Sequence, residues 1–160
     1  MTKREISSMS QQIMYSYGYN KRSTCPFNIA LCDLHGETRN KLEKLHGFEA
    51  WPVLKETKPY IEVFPKDELV YLTADSSNTI HKLDPSKVYV VGGIVDRNRY
   101  KCLTFNKAKS QGIETAKLPI GEYLKLSSVR RTYIFSSSFS VCLIQSNSLS
   151  LFLFTYRPKY

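Results

Sequence analysis

Two short stretches carry residue types that could do chemistry together. One is Leu72-Thr73-Ala74-Asp75-Ser76, and the other is Val91-Gly92-Gly93-Ile94-Val95-Asp96-Arg97-Asn98-Arg99-Tyr100. Paired glycines at the end of a strand let backbone approach a ligand closely or turn with positive φ. Asp96 follows with a carboxylate able to accept a proton, and Arg97, Arg99 and Lys101 supply cations suited to phosphate oxygens. The residues by themselves allow two readings. One is an anionic-ligand or nucleotide site holding a general base, and the other is a tight turn carrying solvated charges.

The elements that must position these stretches follow from periodicity. Ile6, Met9, Ile13 and Tyr17 recur at helical spacing, so residues 4–17 are expected to form an amphipathic helix with one face packed inward. Residues 27–32 (FNIALC) read as a buried strand, 33–36 as a loop and 37–45 as a polar helix. Pro52, Pro59 and Pro65 argue against a long helix in 46–67. Beyond them, 69–73 reads as a strand and 74–83 as a helix capped near Asp75 or Ser76. Residues 87–91 read as a strand ending at Gly92-Gly93, 105–111 as a helix stopped by Gly112, and 115–118 as a further strand. Apolar strands alternating with helices predict a parallel α/β sheet, in which ligands sit at the carboxyl ends of strands. Both chemical stretches fall at such ends.

In order and spacing, YLTADS (71–76), YVVGGIVDRNRYK (89–101) and AKLPIGEYLK (116–125) closely resemble the tRNA methyltransferases that modify N1 of the purine at position nine. QQIMYSYGYNKR (11–22) is similar to the same family, and the resemblance runs over about residues 4 to 128. It implies a SPOUT fold, a parallel sheet flanked by helices whose C-terminal part forms a trefoil knot. It also implies S-adenosyl-L-methionine (SAM) as methyl donor, tRNA as partner, action as a monomer, and no metal. Matched onto the family's motif, Asp96 becomes the residue that accepts or steers the N1 proton. Leu72, Thr73, Gly92, Arg97, Asn98, Arg99, Tyr100, Thr104 and Leu118 become the cofactor-binding set. Lys21, Arg22, Arg97, Arg99 and Lys101 become the RNA-binding set. The implied product is 1-methylguanosine, or 1-methyladenosine, at position nine. The rival reading is a catalytically impaired RNA-binding or regulatory fragment of that family.

The composition agrees with an anionic partner. The chain has 160 residues, a formal net charge of +9 and 42% hydrophobic residues, enough for one domain with its own core. Cys25, Cys32, Cys102 and Cys142 form no close pair and meet no histidine cluster, so neither zinc nor a catalytic thiol is expected. His35, His46 and His81 are scattered and read as surface or turn residues. Tyr15, Tyr17 and Tyr19 could stack on bases, although Tyr17 lies on the apolar helical face. The polar N-terminus lacks the apolar core of a signal peptide, so an intracellular protein of nucleus or cytoplasm is expected.

The sequence divides into a methyltransferase domain, 1–128, and a divergent tail, 129–160. The family's basic N-terminal extension and first strand have no counterpart ahead of the opening helix. Its C-terminal helix has no counterpart in the tail, so the knot is expected to be incomplete. The last 34 residues are rich in Ser, Phe and Leu, lack Asp, Glu, Gly and Ala, and show no helical or strand period. Residues 132–156 hold no charge, but Ser136-Ser137-Ser138 and Gln145-Ser146-Asn147-Ser148 interrupt them, which argues against a membrane span.

Overall fold

The structure, a computed structural model, describes residues 2–24, 26–95, 101–123 and 150–155. Helix α1 spans Lys3–Arg22, longer than the periodicity suggested at its C-terminal end. Thr2 and Glu5 start it with a capping box, the Glu5 N–H donating to Thr2 Oγ1 at 3.3 Å and the Thr2 N–H to Glu5 Oε2 at 2.7 Å. Its buried face carries Ile6, Met9 and Ile13. Asn20 fixes the far end: its amide donates to the Phe27 carbonyl at 2.8 Å and accepts from the Phe27 N–H at 2.7 Å. The helix is thereby tied to the start of the first strand.

Among the described residues, six strands form one sheet. They are β1 (Asn28–Cys32), β2 (Leu54–Lys55), β3 (Leu69–Leu72), β4 (Val88–Gly93), β5 (Glu114–Ala116) and β6 (Ser150–Thr155), in the order β2-β1-β6-β4-β3-β5. The pairs β1·β2, β3·β4 and β3·β5 are parallel. Strand β6 is antiparallel to both its neighbours, β1 and β4. Among the described residues, four helices follow α1: α2 (Gly36–Glu43), α3 (Tyr60–Val63), α4 (Leu103–Gln111) and α5 (Ile120–Tyr123).

Strands β1, β3 and β4 are buried on both faces, which explains why they read as continuous apolar runs. Ile29, Leu31, Val70, Leu72, Tyr89 and Val91 join Met9, Ile13, Leu42 and Phe48 in one core. The alternate residues Ala30, Cys32, Leu69, Tyr71, Val88 and Val90 join Tyr60, Ala108 and Ile113 in the other. Tyr17 lies on the first of these cores, stacked on Trp51 with ring centroids 4.1 Å apart.

The parallel strands at the predicted positions are present, but the predicted helix over 74–83 is not. This segment is instead tied to β5 by its own polar groups. Ser76 Oγ donates to the Thr115 carbonyl at 3.1 Å, and Thr79 forms a parallel bridge with Lys117. The Lys117 N–H donates to the Asn78 carbonyl at 2.6 Å, and the Ile80 N–H to the Lys117 carbonyl at 2.9 Å. Asp75 and Ser76 therefore serve a turn rather than a helix cap, a competition that short polar side chains commonly win. Two of the three prolines of 46–67 act as starters: Pro59 precedes α3, and Pro65 precedes a 3₁₀ turn over Lys66–Glu68. Gly112, at φ +63°, ends α4 as expected. Among the described residues, no helix is long and apolar enough to cross a membrane.

Candidate functional site at the carboxyl ends of β3, β4 and β5

The parallel register places Leu72 beside Val91 on one side and Ala116 on the other, and the Thr73 N–H continues the ladder to the Ala116 carbonyl at 2.9 Å. Thr73, Gly92 and Leu118 therefore lie at the same edge of the sheet. Helix α4 begins over that edge. Its Thr104 hydroxyl donates to Thr73 Oγ1 at 3.0 Å. Thr73 in turn donates to Asp75 Oδ2 at 3.4 Å and accepts from the Asp75 N–H at 3.4 Å. The result is a small polar network running from buried Thr73 to exposed Asp75.

Gly92 is required here for a reason the sequence did not supply. Its φ is not positive. A Cβ at this position would lie 2.9 Å from the Tyr71 hydroxyl and 3.0 Å from Thr104 Cγ2. The space is claimed by the protein's own side chains. Tyr71 is 1% exposed, its ring meets Tyr60 edge-on, and burial pushes its phenol well above the ordinary range. Among the described residues its hydroxyl has no hydrogen-bond partner. Just beyond, the Ile94 N–H donates to the Gly92 carbonyl at 2.9 Å, turning the chain immediately after β4.

Of the predicted site residues, the structure brings Leu72, Thr73, Gly92 and Thr104 together and sets Leu118 at the end of the adjoining strand. Leu72 and Leu118 are only 7% and 8% exposed, so their side chains belong to the core beneath this edge. Asp96, Arg97, Asn98, Arg99 and Tyr100 lie outside the described residues. Lys101 is exposed on the approach to α4, and Cys102 starts that helix at φ +57°. Lys21 and Arg22 form the exposed last turn of α1, where Arg22 donates to the Gly18 carbonyl at 3.1 Å and sits 4.7 Å from the Tyr19 ring centre. His35, His46 and His81 are exposed.

Sequence reasoning missed the roles of Tyr71, Asp75 and Ser76. Asp75 and Ser76 stood in a stretch already singled out, but their helix-cap signal pointed elsewhere. Tyr71 gave no signal at all, since a tyrosine within an apolar strand reads as core. A cleft of about 480 Å³ lined by Lys66, Asp67, Leu69, Gly112 and Glu114 lies at the opposite ends of the strands, away from this network. Among the described residues, no three His, Cys, Asp or Glu side chains are grouped to hold a metal ion.

Residues 1–136 match the family described as tRNA (guanine(9)-N(1))-methyltransferase TRM10/TRM10A. The chain belongs to that family. It is 42% identical over 132 residues to the tRNA (guanine(9)-N1)-methyltransferase of Schizosaccharomyces pombe, a match covering 79% of this chain and 43% of that protein. It is 38% identical to tRNA methyltransferase 10 homolog A of Rattus norvegicus, covering 80% of this chain and 39% of the relative. For the Homo sapiens homolog A the identity is 33% over 164 residues, covering 99% of this chain and 48% of the relative. The chain thus spans less than half the length of these relatives. A crystal structure of full-length spTrm10 in complex with SAH is similar at a TM-score of 0.74 and 41% identity, covering 78% of this chain and 70% of that one. A crystal structure of spTrm10(74) is similar at the same TM-score, with 42% identity and the same coverage.

Proposed function

We propose that this chain is a SAM-dependent tRNA methyltransferase forming 1-methylguanosine, or 1-methyladenosine, at position nine. One observation carries the reading: Thr73, Gly92 and Thr104 converge at the carboxyl ends of parallel strands, in a chain 41% identical to a protein solved as an SAH complex. The donor set fits a nucleoside. The hydroxyls of Thr73 and Thr104 and the Asp75 carboxylate suit ribose hydroxyls, while Leu72 and Leu118 supply the apolar floor that a base requires.

SAM supplies an electrophilic methyl group on a sulfonium, and the leaving thioether is neutral. No Lewis acid is needed to stabilise that departure, so the reading includes no metal. The N1–C bond forms as the S–CH₃ bond breaks, and the N1 proton must leave to a base. Asp96 is assigned that proton, either as acceptor or through a hydrogen bond that aligns the ring. Arg97, Asn98, Arg99 and Tyr100 complete the cofactor set. Lys21, Arg22, Arg97, Arg99 and Lys101 are assigned to tRNA phosphates, since cations of this type suit backbone rather than base contact.

The reading extends to a SPOUT arrangement with a C-terminal knot and action as a monomer in nucleus or cytoplasm. Residues 1–128 form the methyltransferase unit, and 129–160 a tail that contributes Ser150–Thr155 to its sheet. Calorimetric titration of the full chain with SAH, followed by methyl incorporation into a tRNA transcript bearing guanine at position nine, tests it. Binding together with N1-methylguanosine at that position is expected. A folded chain that binds neither SAH nor SAM overturns it.

A further inference from the structure

We propose that the slot between β1 and β4 is a strand-accepting site, and that this chain completes its own fold by donating Ser150–Thr155 into it. Every other pairing in the sheet is parallel, and β6 alone runs against its neighbours from a central position. The family match ends at residue 136, before β6 begins, so the strand comes from sequence outside the region that match defines. Residues 124–149 separate it from α5, the preceding described element.

The register makes the donation complete. β6 pairs along all of β1, from Asn28↔Thr155 to Cys32↔Leu151, and along all of β4, from Val88↔Thr155 to Gly93↔Ser150. Without it, both edges would present unpaired N–H and C=O groups in the middle of the core. Ala30, Leu31 and Cys32 are no more than 3% exposed, and Val90 and Val91 no more than 2%. Buried backbone groups without partners are strongly disfavoured. An empty slot is therefore untenable, and some extended segment must fill it.

The sequence of β6, SLFLFT, suits that position. It has no proline to remove a ladder donor, no charge to desolvate, and the continuous apolar run expected of a strand covered on both faces. The slot thus selects an extended, uncharged, apolar segment, and the chain carries one. Gly92 and Gly93 pair with Leu151 and Ser150, so the donated strand also holds the end of β4 at the candidate site.

The register itself supplies the test, which reads strand position rather than activity and so does not depend on the reaction proposed above. Directly opposed residues in an antiparallel pair bring their Cβ atoms to about 4.5–5.5 Å, within reach of a disulfide after a small adjustment. Cys32 is present already, and its partner is Leu151. In a full-length background with Cys25, Cys102 and Cys142 replaced by serine, Leu151→Cys is refolded in a glutathione redox buffer. A second variant, with Cys32 also replaced by serine, joins Leu31→Cys to Phe152→Cys, the adjacent pair of the opposite hydrogen-bonding class. The control is Phe152→Cys with native Cys32, a mismatch of one residue that points to the other face. At least one matched pair is expected to link within a monomer, with yield at least about fivefold above the control. Equal yield in the control, links only between two molecules, or no link at either matched pair overturns the proposal. A dimeric link would show instead that the strand is donated by a second copy.

Discussion

The Thr104 hydroxyl donates to the Thr73 hydroxyl across 3.0 Å, fastening the first turn of α4 to the end of β3. No other described side-chain hydrogen bond joins that helix to that strand. The contact matters because the segment between β4 and α4 carries Asp96, and its far end is fixed where α4 begins. Thr104→Val keeps the shape and removes the donor, at a cost to stability of about 1 kcal/mol. SAH affinity is expected to fall about three- to tenfold by calorimetry. Unchanged affinity would separate this contact from the cofactor site.

Gly92 and Tyr71 make a second, steric prediction. A methyl group at position 92 would meet the Tyr71 hydroxyl at 2.9 Å, whereas the nearest ring carbon would lie at an ordinary 3.7 Å. Tyr71 is packed tightly and cannot swing aside, while the half-buried Thr104 methyl has room to adjust. Gly92→Ala should therefore destabilise by about 1–3 kcal/mol in urea denaturation. Adding Tyr71→Phe removes only the clashing oxygen and should recover most of that loss. Additive losses in the double variant would show that the clash is relieved elsewhere.

How much of this arrangement was legible in the sequence depended on the kind of signal. Strands β3 and β4 announced themselves as apolar runs bounded by turn residues, and Gly112 marked the end of α4. The segment 74–83 was misread because Asp75 and Ser76 carry the signature of a helix cap. Only the neighbouring strand reveals that Ser76 bonds to Thr115 instead. Tyr71 was invisible for a related reason, since its role depends on a glycine on the next strand. Strand β6 left no trace because its apolar run, SLFLFT, shows no alternation, and serine-rich surroundings blurred its ends. Resemblance named Asp96 and its neighbours, and they lie outside the described residues.

Asp96→Asn addresses the chemistry directly. The amide keeps the size and one acceptor oxygen but cannot take a proton at neutral pH. Turnover is expected to fall about 10²-fold or more, with SAH affinity within about twofold of the parent. A variant retaining the full rate would remove Asp96 from proton handling.

Asn20 predicts how the opening helix is held. Its side chain satisfies both the N–H and the carbonyl of Phe27. Asn20→Ala leaves both groups without that partner, next to a residue packed against the core, and should cost about 1–3 kcal/mol. Asn20→Asp preserves the acceptor but not the donor, and should cost less than the alanine. Equal stability of all three in urea denaturation would mean that water replaces the amide.

The alkaline limb of stability should report on Cys32. Burial, reinforced by the charges of Glu56 and Asp33, pushes its thiol from 9.0 up to about 12. The unfolded chain releases that proton near 9 and the folded chain holds it, so the unfolded state binds fewer protons across this window. Stability from this group is therefore fully present below pH 9 and is lost as pH climbs toward 12, by up to about 1.4 kcal/mol per pH unit. Tyr60, raised by burial from 10.0 to about 12 against the opposing hydrogen bond to Gln111, adds its own loss above pH 10. Urea midpoints measured between pH 8 and pH 10 for the parent and for Cys32→Ala isolate the thiol by difference, because Lys107, lowered from 10.5 by burial, is common to both. Cys32→Ala should lower stability at every pH but flatten the decline above pH 9. The same protonation predicts that Cys32 resists alkylation at pH 8 in the folded chain, while exposed Cys102 reacts. An identical pH slope in the alanine variant, or equal labelling of the two cysteines without denaturant, would show that the thiol is not held protonated by the fold.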